Sequence, residues 1–172
     1  MKLIKKNKRA KDCGVVAAFN AASWCHLYRP YRDIEKVAMS CGYSRKKGIY
    51  LFQFAALLNR LEIPAKRIRP KSVESLESRI YIGRFIVVLY TPNGYDLGHV
   101  IVAFLDHRGN IRVINPDSER TTWGDLAADI NANGMKEFHV YEVPNRRFLK
   151  EKNDESRAAK SCNKGLQPSL GK

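Results

Sequence analysis

Apolar positions change their spacing near the middle of the chain. Val15, Val16, Ala17, Ala18, Phe19, Ala21, Ala22 and Trp24 surround the helical wheel on nearly every side, which predicts a helix buried all round. Asp12 stands before it as a good N-cap. Pro30 predicts the start of a second helix through Met39, with Asp33 in its first turn. After Gly48, residues Leu51, Phe52, Phe54, Ala55, Leu57, Leu58 and Leu61 recur at helical spacing until Pro64 stops them. Ser72 opens a short helix to Arg79, with Val73, Leu76 and Ile80 on one face.

The texture then turns to strands. Phe85 to Tyr90 is rich in β-branched and aromatic residues, and Pro92-Asn93-Gly94 follows as a turn signal. His99 to Leu105 is apolar on both faces, hence a central strand. Asp106 to Asn110 reads as a hairpin loop and Ile111 to Asn115 as the returning strand. Thr121 or Thr122 caps a helix over Trp123 to Ile130, and Phe138 to Val143 is a last strand ended by Pro144. Helices first and strands second define an α+β fold, with N-terminal helices packed on a C-terminal antiparallel sheet. The chain has no internal repeat, no Walker loop and no Gly-x-Gly-x-x-Gly.

A chain of 172 residues, 44% hydrophobic and 28% charged, suits one packed domain. The expected division is a basic segment at 1–12, a folded domain at 13–149 and a disordered basic tail at 150–172, where little can be buried. Of the net charge of +14, residues 1–12 and 145–172 carry +5 each. Such ends either keep the protein soluble or make weak contact with nucleic acid or an acidic protein. Apolar runs reach six residues, far below the ~20 that span a bilayer. Met1-Lys2-Leu3-Ile4-Lys5-Lys6 lacks a secretion-signal core, so the expectation is a cytoplasmic protein without a membrane partner. Cys13, Cys25, Cys41 and Cys162 form no Cys-x-x-Cys pair and have no His at zinc-finger spacing. Neither a disulfide framework nor a structural zinc site is expected.

Cys13 is the candidate for chemistry. As the first residue of a buried helix it meets N-terminal amides, whose partial positive charge stabilises a thiolate. Gly14 should keep the space beside it open. The competing reading is a buried structural cysteine. A thiolate nucleophile wants an imidazole. His107 lies in a loop tip, His26 is about three turns along the helix from Cys13, and His139 is a spare near the last strand. His99 opens the central strand behind Gly98 and is the best candidate, against a satisfied core histidine. Pairing Leu105 with Ile111 sets Ile101 opposite Asn115 and His99 opposite Asp117, so either Asn115 or Asp117 can orient the ring. Asn115 can equally be a turn residue before Pro116. The Cys13 backbone N–H and the side-chain amide of Asn7, six residues upstream, are candidate oxyanion donors. In the competing reading Asn7 is a surface residue of a basic arm.

Three motifs carry a resemblance: Lys11-Asp12-Cys13-Gly14-Val15-Val16-Ala17, Gly98-His99-Val100-Ile101-Val102, and Ile114-Asn115-Pro116-Asp117. In this order, with sixteen residues from His99 to Asn115, they resemble the papain-like peptidases that remove double-glycine leaders from bacteriocins. The resemblance spans roughly residues 4–120. Asn115 stands where that family carries Asp, and Asn7 where it carries Gln. The resemblance implies a papain-like fold and a groove admitting glycines. With the residues, it points to a cysteine peptidase or isopeptidase acting on a peptide or protein through Cys13, His99, Asn115 and Asn7. No metal or cofactor is called for. Two alternatives remain open. One is a deamidase or acyltransferase on the same thiol; the other is a non-catalytic basic binding domain.

Overall fold

The first helix, α1 (Cys13–Trp24), has only Phe19 less than fully buried among its twelve residues. A helix apolar on every side needs cover on every side. Two amphipathic helices supply part of it: α2 (Tyr31–Ser40), entered from Pro30, and α3 (Leu51–Arg60), which buries Phe54, Leu57 and Leu58. The rest comes from an antiparallel sheet. In this computed structural model the described residues are 3, 4, 6, 8, 11–81, 84–90, 99–118, 121–133 and 138–144. Asn7, Gly98, the turn signal at 92–94, Cys162 and the tail at 150–172 lie outside them.

Among the described residues the sheet has five strands: β1 (Lys66–Ile68), β2 (Phe85–Tyr90), β3 (His99–Leu105), β4 (Ile111–Ile114) and β5 (His139–Val143). Their order is β1-β5-β2-β3-β4, so β2 is the middle strand and β3 is flanked on both sides. The period of two splits the strands between two cores. Phe85, Val87, Leu89, Val100, Val102 and Ile114 pack with α1, α2 and α3. Ile86, Val88, Ile101, Ala103 and Val140 pack on the other face with α4 (Val73–Tyr81) and α5 (Trp123–Asn133), through Leu76, Ile80, Leu126 and Ile130. The later helices therefore form a layer on the far face of the sheet. That layer is why β2 and β3 read as apolar on both faces.

The β3–β4 hairpin positions the site. Leu105 pairs with Ile111 and Val102 with Ile114, the register expected from the loop. The Asp106 side chain fixes the loop: Oδ1 accepts N–H bonds from Arg108 and Asn110 at 2.9 Å each, and Oδ2 accepts from Arg112 Nε at 2.8 Å. These bonds favour the ionised carboxyl and pull it down to about 2, first through Asn110 and then through Arg112. A one-residue slip would turn every β4 side chain to the wrong face. The strand itself stops at Ile114, and Asn115 makes only an isolated bridge to Ser118.

The chain ahead of α1 is tied down where it is described. Ile4 N donates to Asn20 Oδ1 and Asn20 Nδ2 donates back to Ile4 O, both at 2.8 Å. Leu3 packs against the first core.

Candidate active site

Cys13 begins α1, and the expectation of a buried first-turn cysteine holds at 8% exposure. Lys11, two residues before it, takes a left-handed backbone at φ 61°, which an L-residue adopts at some strain. The backbone around it is secured. Asp12 Oδ2 accepts the Tyr31 hydroxyl and, at 3.1 Å, the Lys8 backbone N–H. Asp12 is thus at the N-cap position but makes no side-chain cap bond; its carboxylate holds the incoming segment and α2 instead. Lys11 Nζ reaches Lys46 O at 2.7 Å, joining the same segment to the loop before α3.

That loop changes the reading of Gly14. A Cβ on Gly14 would lie 2.3 Å from Ile49 Cγ2, well inside contact distance. The space beside Cys13 is filled by Ile49, so Gly14 permits a close approach of protein to protein rather than leaving a vacancy.

His99 opens β3, is buried, and pairs with Tyr90 of β2 across the sheet. The Tyr90 ring meets the imidazole edge-on at 5.9 Å between centroids. His99 Nε2 lies 2.7 Å from Asn115 Oδ1, and His99 Nδ1 lies 3.1 Å from Asp117 Oδ2. Both residues proposed as orienting groups therefore touch the ring, one at each nitrogen. The Asn115 amide is itself fixed: Oδ1 also accepts the Asp117 N–H at 3.1 Å, and Nδ2 donates to Thr121 Oγ1 at 2.9 Å. With Nδ2 spent on Thr121, the oxygen faces the imidazole, so Nε2 is the donor. Asn115 is at once a turn residue before Pro116 and a histidine partner.

The residue after His99 reaches the sulfur. The backbone N–H groups of Val100 and Gly14 point at Cys13 Sγ and favour its thiolate. They are outweighed. Burial, with smaller contributions from the charges of Asp117 and Asp12, pushes the thiol up to about 11. The amides act in the expected direction, but removing the sulfur from water disfavours the anion more than they favour it. Tyr90 is pushed up to about 12, mainly by burial and then by Asp129, Asp117 and Cys13. Cys13, Tyr90 and Asp117 thus sense one another electrostatically.

The other candidates are spent elsewhere. His107 is exposed in the hairpin turn, His26 contacts the Tyr28 hydroxyl at 3.1 Å, and His139 contacts Arg67 across β1 and β5. Cys25 is buried with its thiol directed at Pro144 O. No group of three or more His, Cys, Asp or Glu among the described residues could hold a metal ion. Sequence reasoning missed Val100, Thr121 and Tyr90. The first acts through its backbone. The second was weighed only as a helix cap, a role that Thr122 fills through Asp125. The third depends on a β2–β3 register that no tight turn announces.

No family model and no curated protein matches the chain. Solved structures do. The peptidase domain of Streptococcus ComA, a bi-functional ABC transporter involved in quorum sensing, matches with a TM-score of 0.54 at 12% identity, covering 81% of this chain and 96% of that one. A double glycine motif protease from an AMS/PCAT transporter, solved in complex with the leader peptide, matches with a TM-score of 0.57 at 15% identity, covering 84% and 91%. The chain thus has a papain-like α+β peptidase-domain fold. More narrowly, it is the fold shared by these two transporter peptidase domains. No helix among the described residues is long and apolar enough to cross a membrane.

Proposed function

We propose that this chain is a cysteine peptidase or isopeptidase that cleaves a peptide or protein substrate after glycine, with Cys13 as nucleophile, His99 as base and Asn115 as the residue that orients it. One observation carries the reading: His99 is held through Nε2 by Asn115, and the next backbone N–H, that of Val100, points at the Cys13 sulfur. β3 thus passes beside the start of α1, with His99 next in the chain to the residue whose N–H faces the thiol.

In the reaction His99 takes the thiol proton, and the thiolate attacks the carbonyl carbon of the scissile bond. The tetrahedral oxyanion is met by the Cys13 backbone N–H and by Asn7, whose neighbour Lys8 is anchored through Asp12. His99 returns the proton to the leaving amine. Water then attacks the thioester, releasing the acid and restoring the thiol. The preference for glycine is drawn from the fold neighbour that acts on a double glycine motif. We place the activity in the cytoplasm, where thiols stay reduced.

The test is cleavage of peptides containing a Gly-Gly site, followed by mass spectrometry. Scission after glycine, abolished by Cys13→Ala, is the expected result. Scission unchanged in Cys13→Ala contradicts the proposal.

A further inference from the structure

Asn115 holds the histidine with an amide, and an amide serves in only one orientation. Its oxygen accepts and its nitrogen donates, whereas a carboxylate accepts at both ends. Turned over, Asn115 would set Nδ2 against the Asp117 N–H, donor against donor, and would take the acceptor away from His99 Nε2. Packing alone does not prevent this. Asn115 lines a cavity of about 230 Å³, shared with Tyr90, Thr121 and Leu126, so there is open space beside the amide.

We propose that Thr121 is a positioning residue for the reaction: its hydroxyl accepts a bond from Asn115 Nδ2 at 2.9 Å and so keeps Asn115 Oδ1 on His99 Nε2. The other bond that orients the amide, from the Asp117 N–H, comes from the same turn as Asn115 and travels with it. Thr121 lies beyond that turn, beside a helix end that is itself fixed. Thr122 caps α5: its Oγ1 accepts the Asp125 N–H at 3.2 Å, and its own N–H donates to the Asp125 carboxylate at 2.7 Å. Leu126 and Ile130, each 1% exposed, root α5 in the second core. Support for the imidazole thus runs from that core through the cap of α5 to Thr121, Asn115 and His99. An acceptor at position 121 is needed because position 115 is an amide.

This inference rests on the peptidase reading, and the experiment separates the two. The full chain is treated with iodoacetamide at pH 7, and peptide mapping gives the rate at which Cys13 displaces iodide and forms its S–C bond. His99→Ala, Thr121→Val and Thr121→Ser are compared with the unaltered chain, and Thr121→Val is repeated in an Asn115→Asp background. Thr121→Val keeps the shape of the side chain and removes the acceptor; it should slow alkylation by about five-fold, the scale of one lost hydrogen bond. Thr121→Ser keeps the hydroxyl and should stay within about two-fold of the unaltered rate. In the Asn115→Asp background, Thr121→Val should change the rate by less than about two-fold, because a carboxylate accepts whichever way it turns. A Thr121→Val rate equal to or above that of the unaltered chain overturns the inference, provided that His99→Ala is slow. So does an equal loss in Thr121→Ser, which would assign the effect to packing, or an equal loss beside Asp at 115, which would make Thr121 a general support. A rate indifferent to His99→Ala overturns the peptidase reading, and this inference with it.

Discussion

His99 and Asn115 are sixteen residues apart and meet at 2.7 Å because a five-residue loop folds one strand back on the next. The contact is made just beyond the last paired residue of β4, where the chain is released from the ladder and the amide can turn towards the ring. Asn115→Ala should lower kcat by up to about 10⁴-fold, the loss when the third member of such a set is miscast. Asn115→Asp keeps an acceptor at Nε2 and should retain most activity. Steady-state kinetics on a glycine-containing peptide distinguish the two. Equal loss in both variants would argue against an orienting role.

The thiol of Cys13 rises from 9.0 to about 11 on folding. The folded state thus favours the neutral form. Its contribution to stability is complete below the unfolded value of 9.0 and is lost as pH climbs through about 11. Alkylation of the resting protein should therefore still be rising with pH at pH 10. A rate that levels off near neutral pH would show an acidic thiol and contradict this account of the resting site.

Gly14→Ala should destabilise the fold by about 1–3 kcal/mol, the usual effect of forcing extra volume into a filled space. The added methyl meets Ile49 Cγ2, so Gly14→Ala/Ile49→Ala should recover part of the loss. Urea unfolding of the two single variants and the double variant measures this coupling. Strictly additive losses would mean that the contact is relieved by movement elsewhere.

Much of this arrangement was legible because local chemistry and long-range packing agree. The Asp106 loop has a register that its length and residues dictate, and that register brings Asn115 and Asp117 to the histidine. The buried helix was legible from an apolar surface interrupted only by Asn20 and Ser23 between Val15 and Trp24. Other features leave no such trace. β1 is a three-residue edge strand whose Lys66 and Arg67 are exposed, so it carries no apolar alternation. The Cys13 thiol depends on how much water the final packing removes, which motif position does not report. Gly14 reads as open space in one dimension and as Ile49 in three.

Asp106 offers a test of the hairpin itself. Its carboxyl is lowered from 3.8 to about 2 by Asn110 and Arg112, so the ionised form is the one the fold favours. The stabilisation is present above the unfolded value of 3.8 and is lost as pH falls towards 2. Asp106→Asn should flatten the acid limb of thermal stability in that window. It should also reduce peptide cleavage by loosening the Leu105–Ile111 register. An acid limb identical to that of the unaltered protein would assign acid sensitivity to other carboxylates.

The central claim is that Cys13 is a nucleophile served by His99. Its most direct measurement is covalent capture: the full chain is incubated with a peptide vinyl sulfone built on a Gly-Gly recognition end, and the adduct is located by mass spectrometry. The account predicts a single adduct on Cys13, absent in Cys13→Ala and formed far more slowly in His99→Ala. An adduct spread over Cys25 and Cys41, or one on Cys13 that forms as fast without His99, would contradict it.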